Sequence, residues 1–202
     1  MFKIAGHTMG TPEYTVCEAI ELLHRIGADG VEIVVQNDYR SGLPCDCNEN
    51  TLAEVRRCAE QNNIQIICLT PYNSYFNSLD EPVRQREIAA IKKVMGYCDQ
   101  LGTKYIRIYG GNLAAGDTEK LAERRARLIE SMRELGDAAA EKGVTLVIEN
   151  HFNTMAVSAK ESASLIREID HPAVRILYDQ ANLTFTGNEG YEEALPLQQQ
   201  YV

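Results

Sequence analysis

The chain has 202 residues, 45% of them hydrophobic and 24% charged, which describes an ordinary globular protein of one large domain or two small ones. A formal net charge of −9 argues against a nucleic-acid binder, because phosphate neutralisation needs clustered Lys and Arg. The N-terminus MFKIAGHTMG lacks the apolar core of a signal peptide, and no apolar run is long enough to span a bilayer, so a cytoplasmic protein without membrane partners is expected.

Taken in chain order, short β-rich runs alternate with longer stretches of helical period. A strand is expected over 2–7, then a helix over 12–26 with Thr11 as its N-cap and Pro12 at the first helical position. Gly27 follows as a left-handed C-cap and leads to a strand over 30–35. A helix over 49–62, a strand over 64–71 and a helix over 81–101 come next, the last closed by Gly102. The strand at 105–110 precedes a helix over 118–142, with Asp117 as a cap that lacks the full capping box and Gly143 closing it. Strands over 144–149 and 174–179 flank a helix over 159–169, and a further helix is expected from about Glu189. No low-complexity linker interrupts this series, so 1–202 reads as a single domain.

Six cysteines stand at 17, 45, 47, 58, 68 and 98. None forms a C-x-x-C pair, and in a chain without an export signal they read as reduced, small apolar residues. Cys45-Asp-Cys47 has the alternative of a metal or redox site, but no second cysteine pair completes it.

Strict β–α alternation implies a parallel sheet covered by helices. An open doubly wound sheet would carry a Gly-rich phosphate loop after its first strand, and GHTMGTP is not one. Polar residues gather instead at the C-terminal ends of several strands: His7, Arg107, Glu149, His151 and Asp179. That distribution belongs to the (β/α)8 TIM-barrel type of α/β fold, of which this chain supplies six β–α units. The sequence stops at ALPLQQQYV, where a seventh strand is expected, so the barrel is expected to be incomplete at its C-terminal end. Apolar strand edges left by an open barrel call for cover, so either a homo-oligomer or instability is expected.

Four segments carry a resemblance: GADGVEI (27–33), YIRIYGG (105–111), LVIENH (146–151) and ILYDQANL (176–183). In that order and spacing they resemble the xylose-isomerase-like barrels, which include sugar isomerases and epimerases, inosose dehydratases and class II AP endonucleases. The resemblance implies a divalent metal (Mn2+, Mg2+, Co2+ or Zn2+), held in the family by a Glu, an Asp, a His and a Glu from the fifth to eighth strands. Glu149 and Asp179 match the first two ligands, and the strands of the other two are not found. The metal would polarise a carbonyl so that an adjacent C–H loses its proton to a carboxylate.

The expected activity is therefore a metal-dependent isomerase or epimerase of a small sugar or polyol-derived substrate, working through an enediolate. The alternatives are an inosose-type dehydratase and a truncated, non-catalytic barrel acting as a binding module. Glu149 is expected to be a metal ligand and a proton-shuttling carboxylate, against the reading of a helix cap or surface residue. Asp179 is expected to be the second ligand, against a simple turn. His151, two residues beyond Glu149 and so on the same strand face, is assigned to substrate. Arg107 lies between two isoleucines and must be paired or stand at a wet barrel mouth. An ion pair with Glu32 and a pocket role for either residue fit equally well. His7 and Asn182 complete the expected substrate contacts. The AP endonucleases add further zinc-binding histidines, among them one in a D-x-x-H motif. Here the third strand ends in Leu69-Thr70-Pro71, and the Asp motif reads Asp179-Gln-Ala-Asn182. Together with the acidic charge, this argues against DNA repair.

Overall fold

The structure, a computed structural model, describes residues 2–114, 116 and 118–202. The expected cap at Asp117 lies outside the described residues. Six strands are present: β1 (Ala5–His7), β2 (Gly30–Val35), β3 (Gln65–Pro71), β4 (Tyr105–Tyr109), β5 (Thr145–Glu149) and β6 (Val174–Leu177). Between them run α1 (Val16–Arg25), α2 (Glu49–Gln61), α3 (Glu81–Leu101), α4 (Leu121–Glu141) and α5 (Ala159–Ile169). After β6 come α6 (Gln180–Thr186) and α7 (Tyr191–Gln198). Strand order follows chain order, β1 to β6. The chain forms two compact units, 1–72 with 93–106, and 73–92 with 107–202.

In the first unit, β1 pairs in parallel with β2, β2 with β3, and β3 with β4 at Leu69 and Ile106. Val31, Ile33, Val34 and Val35 of β2 are almost completely buried, so both faces of the strand are covered, as a parallel sheet requires. Ala19, Ile20 and Leu23 of α1 are buried where that helix packs on β2, and Leu52 and Val55 of α2 where that helix packs on β3. The start of α1 differs from expectation. Thr15, not Thr11, caps it, because Thr15 and Glu18 form a reciprocal capping box: Thr15 N donates to Glu18 Oε2 at 2.7 Å and Glu18 N to Thr15 Oγ1 at 3.3 Å. Pro12 falls in the preceding turn. Gly27, Gly102 and Gly143 all have positive φ at the ends of helices, as the sequence predicts.

In the second unit, β5 and β6 pair in parallel from Leu146↔Val174 to Glu149↔Leu177. Leu128, Met132 and Leu135 of α4 and Leu165 and Ile169 of α5 bury their apolar faces completely. Phe76 is fully buried too, which contributes about 2–3 kcal/mol. Its carbonyl accepts the Ser131 hydroxyl at 2.8 Å, so the loop after β3 is fastened to α4. Buried Arg84 donates to Glu81 at 2.6 Å and to Ser131 at 3.0 Å, which satisfies a guanidinium that water does not reach. The helix α4 begins at Leu121 rather than 118, behind Lys120 in the left-handed region. All six cysteines are free. Among the described residues, no helix is long and apolar enough to cross a membrane.

Candidate active site

Most of the expected site residues lie in the second unit, within β4, at the end of β5 and on the segments that follow β5 and β6. Glu149 is the last residue of β5, and only 8% of it is exposed. Its Oε2 pairs with Arg107 Nε of β4 at 2.8 Å. Both side chains are nearly buried, at 8% exposure for Arg107 and 11% for Glu149. A charge pair at that depth stands because each partner balances the other's charge. The guanidinium also lies 4.2 Å over the ring of Tyr109 and donates to its hydroxyl at 3.2 Å. Tyr109 itself was not anticipated as part of the site.

Asp179 is not the end of a strand. The strand β6 stops at Leu177, and Asp179 is the N-cap of α6, a helix absent from the sequence reading. Its Oδ1 accepts from the backbone N–H of Asn182 at 2.9 Å. The motif Asp-Gln-Ala-Asn is therefore a cap followed by a short helix, not a free turn.

Asn150 is the residue the sequence reading passed over. It is fully buried one position beyond β5. Its Nδ2 donates to the Asp179 carbonyl at 2.6 Å, and its Oδ1 accepts from the Asp179 N–H at 2.9 Å. This two-point clamp fixes the Asp179 backbone against the end of β5. An Asn placed directly after a greasy strand was the available signal, because a buried amide needs partners for donor and acceptor alike.

Asn182 joins the two carboxylates. Its Nδ2 lies 3.1 Å from Asp179 Oδ2, 3.4 Å from Glu149 Oε1 and 3.1 Å from the Asn150 carbonyl oxygen. Two carboxylates from successive β–α units thus converge on a single nitrogen. That is a fit to a divalent cation in kind: the oxygens are hard donors and the point of convergence already holds a group of positive partial charge. The fit covers two acidic side chains only. Among the described residues no three His, Cys, Asp or Glu side chains form a metal-binding group.

His151 does not share a strand face with Glu149, because β5 has ended and the two-residue alternation no longer applies. Its ring packs edge-on to Tyr109 at 4.9 Å and against Phe152 at 4.0 Å, and Phe152 in turn meets Phe185 at 5.3 Å. His151 Nδ1 stands 2.8 Å from the Phe152 carbonyl oxygen, which assigns the proton to Nδ1 and leaves Nε2 as an acceptor. Burial, aided by the Arg107 charge, pushes the imidazole pKa down and favours this neutral form, against the Phe152 hydrogen bond and the Asp179 charge.

The other two expected residues belong to the first unit. His7 ends β1 opposite Glu32 of β2 in register, and its Nδ1 accepts from Met9 N at 3.0 Å, which caps the turn after the strand. Glu32 sits where the β2–β3 register shifts, an irregularity that re-aims side chains.

The chain is similar to known proteins in both sequence and structure. A family model described as xylose isomerase-like TIM barrel matches residues 20–201. In sequence, the inosose dehydratase of Geobacillus thermodenitrificans is 39% identical over 62 residues, which is 31% of this chain and 21% of that protein. The 3-dehydroshikimate dehydratase of Bacillus anthracis is 20% identical over 194 residues, covering 91% of this chain and 64% of its own length. The chain therefore spans less than two thirds of these curated relatives. In structure, the 3-keto-D-glucoside 4-epimerase of E. coli superposes with a TM-score of 0.82 at 17% identity, over 100% of this chain and 77% of the epimerase.

Proposed function

Since this chain belongs to the xylose isomerase-like TIM barrel family, we propose that it serves a metal-dependent isomerase or epimerase of a small polyhydroxylated carbonyl compound. The observation that carries the reading is the convergence of Glu149 Oε1 and Asp179 Oδ2 on one point, the amide nitrogen of Asn182. Glu149 and Asp179 would hold a divalent ion of the Mg2+, Mn2+, Co2+ or Zn2+ kind, which when bound polarises a substrate carbonyl.

The chain's own residues do the rest. Arg107 fixes Glu149 through Oε2 and balances its charge, so the carboxylate keeps one orientation in a site where water cannot stabilise it. Glu149 takes the proton from the carbon beside the carbonyl, and a second carboxylate returns it on the same or the adjacent carbon. His151, neutral and with Nε2 as acceptor, receives a hydroxyl hydrogen bond from substrate. Tyr109, Phe152 and Phe185 offer aromatic faces to the sugar carbons. Asn150 holds Asp179 in place from behind. His7, the last residue of β1, and Glu32, within β2, are proposed as further substrate contacts.

A second reading is an inosose-type dehydratase. It is favoured by the sequence relatives, which are an inosose dehydratase and a 3-dehydroshikimate dehydratase. It shares proton removal beside a carbonyl and differs in that a hydroxyl then leaves as water. Solvent exchange separates the two. The full protein with Mn2+ is incubated with ketoses and inososes in D2O and followed by NMR. Deuterium entering beside the carbonyl with an inverted or moved centre marks the isomerase, and an unsaturated product marks the dehydratase. Glu149→Gln is expected to abolish both. Exchange at an undiminished rate in Glu149→Gln refutes the site assignment.

A further inference from the structure

The surroundings of Asn182 Nδ2 hold more acceptors than it can serve. A side-chain NH2 has two hydrogens, yet three oxygens stand within 3.4 Å, at Asp179 Oδ2, Asn150 O and Glu149 Oε1. Two of the three belong to carboxylates. The opposite orientation of the amide would set its own oxygen against two negative groups, so electrostatics selects the nitrogen. This is a setting built for a cation and held by a neutral group carrying part of a positive charge. Meanwhile the Asn182 backbone N–H is committed to Asp179 Oδ1 at 2.9 Å, which keeps the main chain in place whatever the side chain does.

From this we propose that the Asn182 amide is an internal plug: it occupies the convergence point in the metal-free protein, and a divalent cation enters by displacing it. The inference rests on the reading of Glu149 and Asp179 as the metal-holding pair. Asn182 is then a positioning residue. Its hydrogen bonds keep two mutually repelling carboxylates together, and the same bonds compete with the ion. Metal affinity in this chain is set by that competition as well as by the carboxylates. The side chain at position 182 becomes a determinant of how much free cation the site needs.

The test is Mn2+ binding to metal-free full-length protein, read by calorimetry and by the loss of the free-ion electron paramagnetic resonance signal. Asn182→Ala removes the competitor, and water replaces only part of what it gave. It is expected to bind Mn2+ about fivefold more tightly than wild type, the scale set by losing weak charge-assisted hydrogen bonds. Asn182→Asp sets a third carboxylate beside the other two. It should lower the melting temperature of the metal-free protein, bind Mn2+ more tightly still, and recover its stability on metal addition. If Asn182→Ala does not fold, Asn182→Asp and Asn182→Ser carry the test, because each removes the NH2 group. Equal or weaker Mn2+ binding in the folded variants overturns the plug. Glu149→Gln and Asp179→Asn should lose Mn2+ binding in any case. If they bind as wild type does, the metal-site reading itself fails, an outcome distinct from failure of the plug alone.

Discussion

Arg107→Met takes away one half of a buried ion pair and leaves the other half in place. The Nε and Oε2 atoms are 2.8 Å apart. At that separation and an effective dielectric of about 20, the gross attraction is about 6 kcal/mol. Removing both groups from water offsets most of it, so the pair as a whole contributes little net stability. The single substitution is different, because Glu149 is left at 11% side-chain exposure without its counter-charge. Breaking a buried pair in this one-sided way costs about 3–5 kcal/mol. Loss of the cation from the Tyr109 ring face adds about 0.5–1 kcal/mol, while methionine retains most of the aliphatic contact. We expect Arg107→Met to lose about 4 kcal/mol in urea denaturation, a large share of a domain's total stability. In contrast, the double variant Arg107→Met/Glu149→Met should fall within about 1 kcal/mol of wild type, since the two halves of the pair leave together. The reasoning is refuted if the single variant loses less than about 1 kcal/mol, or if the double variant loses as much as the single.

Two further outcomes follow from contacts in the same unit. Asn150→Ala strips the backbone N–H and carbonyl of Asp179 of their partners. It should cost about 2–4 kcal/mol in denaturation and weaken Mn2+ binding, while a loss under about 0.5 kcal/mol would show that the clamp is dispensable. Glu81 at the start of α3 has its carboxyl pKa held down at about 2, first by the Arg84 hydrogen bond and then by that from Gln85. A lowered folded-state pKa gives stability that is present above the unfolded value of about 4.5 and is lost as pH falls towards 2. The melting-temperature gap between wild type and Glu81→Gln should therefore be steady at neutral pH and close in strong acid. A gap that persists unchanged in strong acid would contradict the assignment.

The alternating apolar runs announced the strand–helix series, because the packing that buries β2 on both faces is written in consecutive residues such as Val31, Ile33, Val34 and Val35. Helix ends were legible where a local chemical rule acts alone, as at Gly27, Gly102 and Gly143. They were misread where two rules compete: Thr11-Pro12 looks like a helix start, but the reciprocal bonds of Thr15 and Glu18 outweigh it. Glu149, Asp179 and Arg107 are named from strand ends and Asn182 from the motif that begins at Asp179, and the structure brings these four together. Their pairing was not legible. Which carboxylate an arginine meets depends on register and rotamer, and neither leaves a trace in spacing. Asn150 escaped for a related reason: its role is to satisfy backbone groups 29 residues away, a contact that only the closed fold creates.

Asp179 divides its carboxylate between two duties. Oδ1 closes the first turn of α6, and Oδ2 faces the Asn182 side chain and Glu149. A helix of seven residues is too short to persist on its own propensity and depends on its cap and on packing. An ion held by Asp179, as proposed, would draw on the same carboxylate that caps this helix. Occupancy would then be written into the fraying of α6, and amide-hydrogen exchange across its first turn would report it without any turnover.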